Sequence, residues 1–131
     1  MPDEFKPQTV EILYRALAVA NGTTARELLD DGTLLHVPGR SGVAGQYQGR
    51  EAIFGLLRHM TELTEGTLQF TPSGTLTADD QMIVVCGHNS ASRQTKRLDT
   101  DTAYVVLLQN DRVREMWIVH QDQTQFDNFW T

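Results

Sequence analysis

The apolar residues of this chain recur with a helical period in the first half and with a strand-like period in the second half. Spacings of three and four residues predict helices over 6–21 and 50–64, and a capping-box pattern predicts a short helix over 24–29. Alternation over 33–37 predicts a short strand. The glycine-rich stretch over 38–49 predicts a flexible flap at the entrance of a site.

After Gly66 the period changes to that of strands, which we expect at Thr67–Leu76, Met82–Arg93, Thr100–Gln109 and Arg112–Gln121. Short polar turns separate them, so the strands should form an antiparallel meander. Helices followed by a meander indicate an α+β fold, in which the three helices cover the concave face of a strongly curved sheet. We find no repeat and no linker, so residues 1–131 should form a single domain.

Both faces of the last predicted strand are apolar. Met116 and Ile118 share one face with His120, whereas Trp117 and Val119 share the other. One face can pack against the helices and enclose a pocket, which is the usual setting for a small-molecule site. The other face needs a second cover, and a second copy of the chain is the simplest one. The pattern therefore predicts a homodimer through the outer face of the sheet.

Charge and cysteine content exclude several classes of protein. Seventeen acidic and eleven basic residues give a net charge of −6, and the basic residues are scattered. This balance disfavours binding to nucleic acid or to an anionic membrane surface. No apolar run approaches the length of about 20 residues that a membrane span needs. Cys86 is the single cysteine, which suits a reducing cytoplasm, where we expect the protein to act.

Two motifs of the chain carry a family resemblance. The first is His36-Val37-Pro38-Gly39 followed by Gly45-Gln46-Tyr47-Gln48-Gly49-Arg50-Glu51, and the second combines Trp117, Asp122-Gln123 and Phe126-Asp127-Asn128-Phe129-Trp130. These two motifs, together with the order of the predicted helices and strands, resemble those of the SnoaL-like, ketosteroid-isomerase-related branch of the nuclear transport factor two-like superfamily. The resemblance covers nearly the whole chain and implies a cone-shaped barrel with an antiparallel or mixed sheet. It implies no single reaction, because this fold serves many chemistries.

The resemblance also places residues of this chain at the family's functional positions. Tyr14 lies on the first predicted helix, where the isomerases carry the tyrosine of their oxyanion hole. Val37 takes the place of the isomerase base, and Val119 takes the place of the acid–base aspartate of the cyclases. Because valine cannot accept a proton, we do not expect a steroid isomerase or epoxide hydrolase of the usual kind.

The nearest candidates for acid–base chemistry are His120 and Asp122. They share the strand face of Met116 and Ile118, so they could act as a general base and the carboxylate that orients it. Tyr14 would then donate a hydrogen bond to a developing oxyanion. The alternative is that His120 and Asp122 cap the end of the strand and bond to the C-terminal tail, with Tyr14 packed in the helix core.

Further residues are candidates for contact with a ligand, and these are His36, Val37, Arg40, His88, Met116 and Ile118. Alternation favours His36 on the outer face if Val37 points inward, and His88 is alternatively a core histidine bonded to a neighbour. The histidines have no local spacing typical of metal ligands, so we predict no metal site.

These observations predict a protein that binds a small, largely apolar molecule without an organic cofactor, and the resemblance implies a ligand of polyketide or steroid type. If it is an enzyme, isomerisation, cyclisation, dehydration or hydrolysis by proton transfer is the expected chemistry. The alternatives are a ligand-binding protein without catalysis and a protein-interaction dimer whose own side chains fill the cavity.

Overall fold

The computed structural model describes residues 29–78, 81–109 and 112–131. The elements in chain order are β1 (Leu34–Val37), β2 (Gly45–Gln48), α1 (Arg50–Leu63), β3 (Gln69–Ala78), β4 (Met82–Arg93), β5 (Lys96–Gln109), β6 (Arg112–His120) and α2 (Gln123–Trp130). The α+β class is confirmed. The predicted helix over 6–21, with Tyr14, and nearly all of the one over 24–29 lie outside the described residues.

The strands form one six-stranded sheet in the order β2-β1-β6-β5-β4-β3. Strands β3 to β6 pair antiparallel with their neighbours along the chain, which confirms the predicted meander. β1 pairs parallel with β6 and antiparallel with β2, so the sheet is mixed. Because β1 pairs with β6, His36 of the first motif lies next to Trp117 of the C-terminal motif.

The strands differ from the prediction in one missed strand and in several ends; β3, for example, runs over Gln69–Ala78 and not over Thr67–Leu76. The flap over 38–49 contains β2, which pairs with β1 from Val37↔Gly45 to Leu34↔Gln48. β5 begins at Lys96 and not at Thr100, because a two-residue turn joins it to β4. Gln94 adopts a positive φ of 56° in this turn. The turn contains no glycine, asparagine or proline, which are the residues that signal such a turn in a sequence.

Helix α1 forms where the sequence predicts it. Its apolar residues Ile53, Phe54, Leu56 and Met60 are buried on one face, because they recur three or four positions apart. The helix is followed by a left-handed turn at Gly66, whose N–H donates to the carbonyl oxygen of Thr61. Such a turn satisfies carbonyl groups that the end of a helix leaves without partners.

Helix α2 was not predicted, although the sequence carries a signal for it. Asp122 precedes the helix and accepts a hydrogen bond from the backbone N–H of Gln125 at 3.0 Å, which is an N-terminal cap. Phe126, Phe129 and Trp130 are spaced for one helix face and are all buried. The helix packs on β5 and β6 and so closes one side of the concave sheet face. Neither of the two described helices is long and apolar enough to cross a membrane.

Candidate functional site

An apolar cavity lies between α1, α2 and the concave face of the sheet. Its described apolar lining residues are Leu35, Leu56, Leu57, Met60, Leu68, Phe70, Leu98, Met116, Ile118, Phe126 and Trp130. The polar ones are Gln69, Asn89, Tyr104 and His120. The cavity has a volume of about 50 Å³, whereas one water molecule needs roughly 10–15 Å³ on this scale. The site therefore has room for a small guest among mainly apolar walls.

Strand β6 contributes its inward face as predicted. Met116, Ile118 and His120 all line the cavity, and Met116 and His120 are buried. The neighbouring Val119 is 51% exposed on the opposite face. The alternation of side chains along a strand explains this division, because successive residues point to opposite faces.

His120 is held by a short chain of buried polar side chains. Its Nδ1 atom lies 3.0 Å from the hydroxyl oxygen of Thr102 on β5. The same oxygen accepts a hydrogen bond of 3.1 Å from the side-chain amide of Asn89 on β4. All three residues are at least nine-tenths buried. Three adjacent strands thus fix the position of the imidazole.

The environment of His120 keeps its ring neutral. The ring stacks on Phe126 with a centroid distance of 3.7 Å and an interplanar angle of 22°. Burial lowers the pKa of His120 to about 4, because the charged form would lose its hydration, and the negative charge of Asp127 opposes this only in part. Its Nε2 atom is buried and has no hydrogen-bond partner within the part of the chain that the structure describes. The site therefore contains an unpaired imidazole nitrogen on a residue that lines an apolar cavity.

The predicted pair of His120 and Asp122 is not formed. The carboxylate of Asp122 caps α2 through Gln125, and the imidazole bonds to Thr102. The chain leaves the sheet after His120 and turns into α2, so parity along a strand no longer applies to Asp122. No carboxylate is found among the described residues that line the cavity. The expectation of a His–Asp pair was wrong for this geometric reason.

His36, Val37 and Arg40 lie outside this cavity. The Nε2 atom of His36 is 2.6 Å from a carboxylate oxygen of Glu115, and its ring stacks on Trp117 at 5.2 Å. These contacts place His36 on the outer face, as alternation predicts. Val37 is buried in the core without lining the cavity, and Arg40 donates its backbone N–H to Asp127 at 3.1 Å.

His88 also lies outside the cavity, contrary to the prediction that it lines the site. Its ring is half-exposed and bonds to Asp101 at 2.9 Å and to Asp99, both on β5. Asn89, the next residue, points inward instead. The hydrogen bonds to Asp101 and Asp99 raise the pKa of His88. His88 shares its strand face with Met82 and Cys86, and the buried residues of β4 are those of the opposite face.

Several site residues were not predicted from the sequence. Asn89, Thr102 and Trp130 belong to the site only because the strand register and α2 bring them to His120. The inward parity of Asn89 with Ile83 and Val85 was a readable signal, since the buried residues of β4 alternate with it. Among the described residues, no group of three or more histidine, cysteine or acidic side chains is arranged to hold a metal ion.

Comparison with known proteins gives both a relative and several structures of the same shape. No family model matches the chain. An uncharacterized protein of Mycobacterium tuberculosis (strain ATCC 25618 / H37Rv) is 26% identical over 94 residues, which are 72% of this chain and 72% of that protein. Bal32a, from a soil-derived mobile gene cassette, is 34% identical, with a TM-score of 0.89 over 95% of both chains.

Two further structures are similar in fold at lower identity. An NTF2-like protein of unknown function from Burkholderia pseudomallei K96243 has a TM-score of 0.82 at 17% identity, over 100% of this chain and 99% of that one. TerC, co-crystallized with polyporic acid, has a TM-score of 0.78 at 15% identity, over 93% of this chain and 95% of that one.

Proposed function

We propose that the chain, which has the fold of NTF2-like proteins and motifs that resemble the SnoaL-like, ketosteroid-isomerase-related branch of that superfamily, binds a small, largely apolar molecule in its cavity. The observation that carries this proposal is the buried His120 Nε2 atom, which has no hydrogen-bond partner among the described residues and belongs to a residue that lines the cavity. An unpaired buried polar atom costs about 1–3 kcal/mol, and a bound molecule would remove that cost. The complex of TerC with polyporic acid gives a precedent for a small molecule in a protein of this fold.

The proposal can be tested with cyclohexanone, a small apolar ring with one polar group. Nuclear magnetic resonance (NMR) should show shifts of the methyl signals of Met60 and Met116, which line the cavity. Met82, on the other face of β4, should not respond. Leu57→Phe places a larger ring in the cavity and should weaken binding at least several-fold. Leu76→Phe is the matched control, because Leu76 is 66% exposed and does not line the cavity.

Two outcomes would contradict this proposal. The first is a titration in which the signals of Met60 and Met116 do not move at any concentration of the probe that the folded protein tolerates. The second is unchanged affinity in Leu57→Phe, since binding would then occur outside the cavity.

A second candidate function is proton-transfer catalysis on a bound carbonyl compound. It is favoured by the neutral imidazole of His120, which can polarise a carbonyl group from inside a water-poor site. The low pKa makes His120 a weak base, so we assign it the donor role that was expected for Tyr14. In D₂O, a deuteroxide ion from the solvent would remove the α-hydrogen of cyclohexanone while His120 stabilises the enolate oxygen. The protein should therefore accelerate exchange of the α-hydrogens, and His120→Ala should abolish the acceleration. A wild-type rate equal to that in buffer would contradict this candidate.

We also propose that the outer face of the sheet joins two copies of the chain in the cytoplasm. Val119 is more than half exposed there, beside the stacked rings of His36 and Trp117. Light scattering should give the mass of a dimer, and Val119→Asp should shift it to that of a monomer. Thr75→Asp, at an exposed position of the edge strand β3, provides the control. A monomeric wild-type protein would contradict the proposed pairing.

A further inference from the structure

A second residue that lines the cavity has a buried N–H group without a partner among the described residues. Trp130 is 2% exposed and lines the cavity from the last turn of α2. Its indole Nε1 atom has no hydrogen-bond partner in residues 29–78, 81–109 and 112–131. Indole nitrogen can only donate a hydrogen bond, so its missing partner must be an acceptor. The two residues with unpaired atoms, His120 on β6 and Trp130 on α2, line the same cavity.

The hydrogen bonds around Thr102 determine which ring nitrogen of His120 carries the proton. The hydroxyl oxygen of Thr102 accepts from the amide of Asn89, so it has one proton of its own to donate. The acceptor within reach is Nδ1 of His120, at 3.0 Å. If Nδ1 accepts this proton, the hydrogen of the neutral ring must be on Nε2. The opposite tautomer would leave the buried Thr102 proton without a partner among the described residues.

Both unpaired atoms are therefore donors, and they select the chemistry of the ligand. We propose that the cavity binds a neutral molecule with two carbonyl oxygens, one accepting from His120 Nε2–H and the other from Trp130 Nε1–H. This inference rests on the proposed binding function and adds the class of ligand. Thr102 and Asn89 act as positioning residues, because they determine the tautomer of His120 without lying against the proposed oxygen.

The electrostatics of the cavity favour a neutral carbonyl compound over a carboxylate. No lysine or arginine is found among the described lining residues, so a buried anion would lack a compensating charge there. A hydroxyl or amino group that donates its proton would face two other donors, so this proton would form no hydrogen bond with them. The aromatic ring of Phe126 packs against both donor rings, at 3.7 Å from His120 and 6.2 Å from Trp130. The two donors are thus adjacent to an apolar surface that suits a compact ring.

The test compares three probes of similar size, which are cyclohexane-1,4-dione, cyclohexanone and methylcyclohexane. We expect affinity to fall roughly three- to ten-fold with each carbonyl removed, which is the usual range for one hydrogen bond. The diketone should move the indole N–H signal of Trp130 downfield, since its proton gains an acceptor. Trp117 is the only other tryptophan of the chain and stacks on His36 at the outer face, so its indole signal is an internal control.

A substitution of Trp130 tests its role as a donor, and the same substitution of Trp117 is the control. Trp130→Phe keeps an aromatic ring but removes the N–H. This variant should therefore bind the diketone and cyclohexanone with about equal affinity. Trp117→Phe should leave that preference unchanged. In nitrogen-detected NMR, the His120 ring should show the proton on Nε2 in the wild-type protein, and Thr102→Ser should retain this tautomer because it keeps the hydroxyl.

The outcomes distinguish the inference from the function on which it rests. Shifts of the Met60 and Met116 methyl signals with equal affinity for all three probes would leave the binding function standing and overturn the inference. An unmoved Trp130 indole signal, or a proton found on Nδ1 of His120, would overturn it as well. Absence of any methyl shift would contradict the proposed function itself, and the inference would fail with it.

Discussion

Thr102 and His120 face each other directly across β5 and β6, and the Thr102 hydroxyl oxygen lies 3.0 Å from Nδ1 of His120. This relationship is a consequence of strand register, since a shift by one residue would turn one of the two side chains to the outer face. It gives the cavity a histidine whose orientation, tautomer and neutral state are all determined by neighbouring residues.

We expect Thr102→Val to destabilise the protein. Valine matches threonine in shape but removes the hydroxyl, so the buried Asn89 amide and His120 Nδ1 both lose a partner. The free energy of unfolding should fall by about 1–3 kcal/mol, as measured by urea denaturation. Thr102→Ser restores the hydroxyl and should recover most of this loss. An unchanged free energy of unfolding in Thr102→Val would show that the hydroxyl contributes nothing to the buried chain of hydrogen bonds.

The stability of the protein should decrease in mild acid because of His120. Its pKa is about 4 in the folded protein and about 6.5 in an unfolded chain. Between these two values only the unfolded chain takes up the proton, so unfolding becomes easier as the pH falls from 6.5 to 4. The loss amounts to roughly 3 kcal/mol over this range. The urea concentration at the midpoint of unfolding should therefore fall as the pH is lowered.

The control for this pH dependence is His120→Gln, which carries no titrating ring. Its urea midpoint should vary less between pH 6.5 and 4 than that of the wild-type protein. Equal pH dependence in the two proteins would mean that His120 is not responsible. Direct NMR titration of the His120 ring provides a second measurement, and a pKa near 6.5 would contradict its desolvation.

His88 should show the opposite pH dependence on the outer face. Hydrogen bonds to Asp101 and Asp99 raise its pKa above 6.5, so its contribution to stability is complete below that value and is lost as the pH rises through the raised pKa. An NMR titration should place the pKa of His88 above that of an unfolded histidine. Asp101→Asn should lower it more than Glu62→Gln, a control on the exposed side of α1. An unchanged pKa in Asp101→Asn would contradict this assignment.

Gly87 should not tolerate a larger side chain. A Cβ atom at this position would lie 2.2 Å from the ring of Phe70 and 2.4 Å from the carbonyl oxygen of Thr71, both on the paired strand β3. Gly87→Ala should therefore destabilise the protein by about 1–3 kcal/mol and displace Phe70 from the cavity wall. Gly74→Ala is a suitable control because open space surrounds Gly74. Equal thermal midpoints for the two variants would contradict the predicted clash.

The sequence predicted those elements whose residues interact mainly with near neighbours along the chain. Helix α1 was predicted because Ile53, Leu56 and Met60 recur at helical spacing, and it begins and ends within one residue of the predicted bounds. The inward position of Met116, Ile118 and His120 followed from alternation along one strand. The missed strand β2 lies in a glycine-rich segment, where pairing with β1 overrides local preference.

The composition of the candidate site depended on contacts between residues distant in the sequence. His120 was identified from its own strand, but Asn89 and Thr102 lie 31 and 18 positions earlier and reach it only through the sheet register. Asp122 follows His120 by two residues and nevertheless faces Gln125, because the chain turns into α2 at this point. The sequence by itself thus determined the fold class and the inward face of β6, since both follow from local periodicity. Only the tertiary structure decided which polar groups are buried together, because that depends on strand register, on which face of β4 points inward and on the direction of the chain after β6.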